Sequence, residues 1–200
     1  MGLSGSQKIL KRLFDLFFSF LGLILLLPLS FILLIISSLD TKSFGIIAQT
    51  RIGRHGKPFK LLKFKTMRDT TQPQNFITTI NDPRITKIGR KLRNSKLDEL
   101  PQLWNVLYGQ MSFVGPRPDV PGYADKLQGE DSIILEVKPG ITGPASLDFK
   151  NEEELLAKQQ NPSAYNDEVI WPEKVNINKA YIKNYSFKKD IKIILKTIFG

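Results

Sequence analysis

Leu16–Ile36 reads LFFSFLGLILLLPLSFILLII, 21 residues without a charge. At about 1.5 Å per residue, a helix of this length matches a bilayer core of roughly 30 Å. The run is too long for the apolar part of a cleaved signal peptide, and no small-x-small site follows Ile36, so the segment is expected to be retained. Its flanks carry equal charge: Lys8, Lys11 and Arg12 before it, Lys42, Arg51 and Arg54 after it. Positive charge marks the cytoplasmic side, so the tie is resolved if both flanks lie there and the segment enters and turns back. Pro28 lacks the N–H of a helical bond and crowds the Ile24 carbonyl, which predicts a kink. Ser30 is spaced to bond the carbonyl of Leu26 or Leu27 at that bend. A kinked helix that crosses the bilayer satisfies the same residues.

Outward from this segment, the 200 residues suit one modest domain, with 42% apolar and 24% charged residues. The absence of cysteine excludes disulfide scaffolds, thiol catalysis and Cys-ligated zinc. A single histidine, His55, leaves no HExxH site. The net charge of +10 is uneven, because residues 1–100 hold 17 Lys/Arg against 6 Asp/Glu and residues 101–200 hold 12 against 13. Such a field attracts nucleic acid, anionic lipid or phosphorylated small molecules alike. At the other end, Phe187, Ile191, Ile194, Leu195 and Ile198 fall on one helical face opposite Lys188, Lys189, Lys192 and Lys196. That pattern fits a helix in the headgroup plane or one packed on a core.

Between these ends, Ile46–Ile52 and Phe59–Met67 flank Gly53, Gly56 and Pro58 and predict a β-hairpin. Thr86–Arg93 predicts a short basic helix. Asp98–Tyr108 predicts another, with Asp98 as N-cap, Pro101 in the first turn and Gly109 as the stop. SFVGPRPDVPG (112–122) is too rich in proline and glycine for regular helix, and KPGITGP (138–144) reads as a second rigid loop. Residues 151–168 read as a short acidic helix and a turn.

Asp98-Glu99 is the carboxylate pair to weigh. A cap and a first-turn acid explain it structurally. A carboxylate held in that position beside cations also stays ionised, and then serves as a nucleophile or a Mg²⁺ ligand. Lys63, Lys65 and Arg117, the last locked between Pro116 and Pro118, are candidate phosphate binders, although the lysines also suit a solvated strand edge. No GxxxxGK[ST], GxGxxG or DxD occurs.

KFKTM (63–67), LDELPQ (97–102), MSFVGPRP (111–118) and PGITG (139–143) follow one another in the order seen in bacterial initiating sugar transferases. The chain resembles these monotopic phosphoglycosyl transferases from its Lys-Arg-Leu-Phe-Asp entry to Ile193. The resemblance implies a mostly helical α/β fold: a basic lead (1–12), a re-entrant membrane helix hairpin (13–40) broken at Pro28 and Ser30, and a small interfacial catalytic domain (41–200). That domain includes a β-hairpin and a C-terminal amphipathic helix (187–199). The implied reaction moves a sugar 1-phosphate from a UDP-sugar to polyprenol phosphate with Mg²⁺, releasing UMP, at the cytoplasmic face of the bacterial inner membrane. Asp98 would be the nucleophile and, with Glu99, a metal ligand; Lys63, Lys65, Arg93, Arg117 and Lys138 would bind substrate, Arg93 facing the lipid phosphate. Membrane lipids are implied partners, nucleic acid is not, and homo-oligomers are allowed. The chain departs from the family at Leu27-Pro28-Leu29-Ser30, where a Ser-Pro pair is common. It departs again at Pro144–Phe149, in place of Trp-Ala-Gln-Val-Asn-Gly-Arg-Asn, and at Asn178, where Asp is common, so the resemblance carries the reaction type and not the sugar. A membrane-anchored nucleic-acid binder, which leaves the rigid proline loops unexplained, and a non-catalytic surface adaptor, which would show no turnover, are the rival classes.

Overall fold

Helix α1 (Gly5–Thr41) begins with a reciprocal cap in which the Ser4 hydroxyl accepts from Gln7 N–H and the Gln7 side chain accepts from Ser4 N–H. In the computed structural model, which describes residues 2–69 and 82–200, α1 is continuous with Pro28 inside it. Pro28 therefore does not end the helix, because it removes only one backbone bond while the turns on either side keep theirs. Among the described residues the Ser30 hydroxyl has no hydrogen-bond partner in the protein, which corrects its expected back-bond. Ser38 to Leu34 O and Thr41 to Ser37 O make bonds of that kind about two to three turns further on. Among the described residues, α1 is the one helix long and apolar enough to cross a membrane. Phe17, Phe20, Ile24, Leu25, Leu27, Phe31 and Ile32 are exposed along it.

Both ends of α1 are tied to the same body. Near its start, Lys11 pairs with Asp190 at 2.5 Å, Arg12 donates to the carbonyls of Val106 and Leu107, and Asp15 accepts from Ser112 Oγ and Phe113 N–H at 3.0 Å each. Near its end, Ser37 Oγ lies 2.5 Å from the Lys65 carbonyl and 3.0 Å from the Gly45 carbonyl. Between them, Gly22 lets Leu103 approach the helix backbone.

Strands β1 (Ile46–Ile52) and β2 (Pro58–Phe64) form the expected antiparallel hairpin, with Ile46 opposite Phe64 and Ile52 opposite Pro58. Its turn places His55 and Gly56 at φ of 59° and 70°. Thr86 caps α2 (Lys87–Asn94) by accepting from Gly89 N–H. A 3-10 turn (Leu97–Glu99) leads into α3 (Gln102–Leu107), which stops before Gly109 at φ 80°.

The two proline- and glycine-rich loops are more ordered than their composition predicts. Ser112–Val114 (β3) and Gly140–Thr142 (β4) pair as short parallel strands. Their glycines are required by closeness: a Cβ on Gly140 would lie 2.2 Å from Gly115 N, and one on Gly143 would lie 2.2 Å from Gly115 O. The chain finishes with α4 (Pro144–Asp148), α5 (Glu152–Ala157), α6 (Pro162–Tyr165), a π-turn (Asn166–Ile170), α7 (Trp171–Lys183) and α8 (Phe187–Phe199). In α8, Asp190 and Ile193 face the core while Leu195, Ile198 and Phe199 stay exposed, so the apolar stripe is only partly used for packing.

Three apolar clusters hold this body. The largest joins β3, α7 and α8 through Val114, Val175, Ile182 and Ile193. A second packs Leu33 of α1 on Phe64 and Leu92, with Leu97 and Leu100 around it, and so grips both ends of the Asp98 turn. The third sets Leu61 of β2 against Val106 and Met111.

Candidate active site

Lys96 takes the left-handed conformation at φ 56° and turns the chain out of α2, so that Leu97–Glu99 forms a tight 3-10 turn. Helix α3 then starts four residues after Asp98, with Pro101 as its N-cap and no side-chain cap bond. Asp98 is therefore not the cap that its spacing predicts. The local reason is the turn, where Glu99 N–H bonds Lys96 O and Leu100 N–H bonds Leu97 O, leaving no helix N–H for the carboxylate. Asp98 is 5% exposed, and its Oδ1 is buried without a hydrogen-bond partner. A buried acceptor left unpaired costs about 1–3 kcal/mol, more when charged, and such an oxygen needs an explanation in chemistry rather than folding.

Glu99, 8% exposed, has the opposite surroundings. Its Oε1 receives Lys63 Nζ at 2.9 Å and Arg117 Nη2 at 2.5 Å. Burial works against the Glu99 carboxylate, but the charges and hydrogen bonds of Arg117 and Lys63 overrule it and hold it well below the usual range. Among the described residues the one ion pair of Asp98 is the longer contact with Lys63, 3.8 Å from its Oδ2. Burial therefore pushes Asp98 above the ordinary aspartate range, with Lys63 opposing and the Glu99 charge adding to the rise. Burial in turn pulls the Lys63 ammonium down, with Glu99 the main opposing influence. Two adjacent acids thus sit in unlike surroundings, Glu99 neutralised by two cations and Asp98 with one oxygen left unpartnered.

The frame behind them is Asn105, which the sequence reading did not single out. Its side chain accepts from Leu62 N–H and donates to Lys60 O and Gln110 Oε1, so that α3 is stitched to the free edge of β2, the strand that carries Lys63. Arg117 reaches Glu99 from the loop after β3, its neighbours Pro116 and Pro118 both buried.

The remaining sequence candidates lie in different settings. Arg93 is within charge range of Asp98, and its guanidinium is hydrogen-bonded to Glu153 of α5. Lys65 is turned to Asp69 at 2.6 Å and Ser43 at 2.8 Å. Lys138 sits with Arg12, Asp15 and Arg54, a group that shares no residue with the carboxylate pair. Asp119 was also missed; burial pushes it up to about 7 against the pull of Lys174 and Arg51. In a proline loop an acid reads as a turn residue, so only its tertiary neighbours mark it.

The family model described as "Bacterial sugar transferase" matches residues 6–200. The chain belongs to this family. Among its relatives, the Klebsiella pneumoniae UDP-glucose:undecaprenyl-phosphate glucose-1-phosphate transferase is 38% identical over 98% of the chain and 41% of its own length. The Erwinia amylovora UDP-galactose-lipid carrier transferase is 35% identical over 96% of the chain and 40% of its own length. A Bacillus subtilis (strain 168) protein named "Uncharacterized sugar transferase EpsL" is 37% identical over 95% of the chain and 86% of its own length. The chain thus spans about two fifths of the first two relatives, and their names differ in the sugar.

Proposed function

We propose that the protein transfers a sugar 1-phosphate from a UDP-sugar to polyprenol phosphate, with Asp98 as the covalent relay. The observation that carries this is the partnerless buried Oδ1 of Asp98, beside a Glu99 already neutralised by two cations. Asp98 attacks the sugar-proximal phosphorus, and the bond from that phosphorus to the bridging oxygen breaks as UMP leaves with the electron pair. An oxygen of polyprenol phosphate then attacks the same phosphorus, the aspartyl-phosphate bond breaks, and the carboxylate is restored. Arg117, partly exposed at 45%, is the cation placed to meet the diphosphate, and Arg93 the one that receives the lipid phosphate once Glu153 yields it.

Mg²⁺ fits the donors present. No group of three or more His, Asp or Glu gathers among the described residues, but Mg²⁺ commonly takes one or two carboxylates and completes its shell with water and phosphate oxygen. Asp98 Oδ1, in want of a partner, and the Glu99 carboxylate would hold it. When bound it would neutralise diphosphate charge as UMP departs.

We further propose that α1 enters and leaves the bilayer on the cytoplasmic face of the inner membrane. Its two ends bond to one polar body, through Asp15 to Ser112 and through Ser37 to Lys65, and a straight crossing would put them on opposite sides. The test of the reaction is a panel of UDP-sugars without acceptor: about one equivalent of UMP per site and a phosphosugar mass on the chain are expected. Turnover without any adduct in rapid-quench samples would rule out the covalent route.

A further inference from the structure

Lys138 has no carboxylate or hydrogen-bond acceptor among the described residues, although its side chain is partly buried. Arg12 stands beside it. A Cβ at Gly109 would be 3.3 Å from both Lys138 Nζ and Arg12 Nη2, so the two cationic groups lie no more than twice that distance apart. Arg12 donates to Val106 O at 2.7 Å and Leu107 O at 2.8 Å, which leaves the rest of its five N–H donors uncommitted. The charges that act most strongly on Lys138 are Arg12, Asp15, Arg54 and Lys11. Asp15, the one acid among them, already accepts from Ser112 and Phe113, while Lys11 is paired with Asp190 and Arg54 with the Glu136 carbonyl. Burial and these like charges together depress Lys138. Positive charge thus converges at Gly109 without a free anion of the protein's own.

The chain around this point tells which anion suits it. Leu13, next to Arg12, is 59% exposed, and Tyr108, next to Gly109, is 70% exposed. Phe17, one turn along α1, leads onto the exposed apolar length of the helix. A free oxyanion gains nothing from such neighbours, whereas a lipid brings a phosphate and acyl chains together.

We propose that Arg12 and Lys138 form a binding site for the phosphate of an anionic phospholipid headgroup at the foot of α1, separate from the Asp98 site. The site needs no part of the transfer reaction and stands without it. Its role is to set the depth and tilt of the body on the bilayer.

The test uses the full chain in mild detergent, with thermal unfolding titrated by phosphatidylglycerol, phosphatidylcholine, polyprenol phosphate or inorganic phosphate. Phosphatidylglycerol is expected to raise Tm as a ligand of the folded state does, and phosphatidylcholine to raise it far less. Lys138→Gln breaks no hydrogen bond or ion pair among the described residues and should weaken the phosphatidylglycerol response about tenfold, the worth of one charged hydrogen bond. Lys138→Arg should keep it, and Lys158→Gln, at an exposed lysine that ends α5, should not change it. Equal weakening in Lys138→Gln and Lys158→Gln would reduce the effect to net charge and overturn the site. An equal response to inorganic phosphate, or a response to polyprenol phosphate alone, would overturn the phospholipid assignment. Loss in Lys138→Arg as well would overturn recognition by charge.

Discussion

At Asp98 a buried carboxylate oxygen lacks any partner while the neighbouring Glu99 holds two cations on one oxygen, and substitution should separate these two environments. A folded-state pKa raised above the unfolded value contributes stability at acid pH that is lost as pH rises through the folded value. Asp98→Asn should therefore raise Tm at pH 7 relative to the parent, the gain shrinking towards pH 4, and should abolish both the UMP burst and the adduct. A lower Tm with retained turnover would make Asp98 structural. Glu99 has the opposite sign, because its depressed pKa gives stability that is full above the unfolded value and is lost progressively as pH falls from there towards the folded value. Glu99→Gln should cost about 3 kcal/mol at neutral pH by stranding Lys63 and Arg117, measurable by urea unfolding. For Asp119, pushed up to about 7, stability drains away between about pH 4 and 7. Asp119→Asn should accordingly flatten the fall in Tm over that interval, and an unaltered profile would show that Asp119 is not the titrating group.

Among the elements, the hairpin and α2 follow from local chemistry. Short apolar-rich runs on either side of Gly53 and Gly56, and Thr86 three residues before Gly89, are sufficient signals. The start of α3 was not legible, because a cap motif and a 3-10 turn use the same residue types and only the left-handed Lys96 distinguishes them. Strands of three residues, as in β3 and β4, carry no periodicity at all. What the sequence does hold is the glycine at each close approach, Gly115 against Gly140 and Gly143, whose reason appears only when the backbones meet. Asn105 couples these levels by satisfying the edge of β2 from α3. Asn105→Ala should destabilise by about 2–3 kcal/mol, since Leu62 N–H and Lys60 O are left unpaired. A chain of parental stability in chemical denaturation would show that water replaces the amide.

For the whole molecule, the topology of α1 is the decisive expectation. The chain has no cysteine, so single cysteines at Ser4 and Ser43 can be labelled in intact and opened cells. Both should react from the cytoplasmic side alone, and reaction of one from each side would establish a crossing helix. Sequence by itself determined the apolar run, the tie of flanking charge, the hairpin, the short basic helix and the order of motifs that marks the family, because each is written in adjacent residues. Tertiary structure alone decided that the two ends of α1 bind one body, that Asp98 keeps one oxygen unpartnered while Glu99 is neutralised, and that Lys138 stands with Arg12 far along the chain. Charges separated by 126 positions leave no local trace of their meeting, and a carboxylate's reactivity depends on which cations reach it through space.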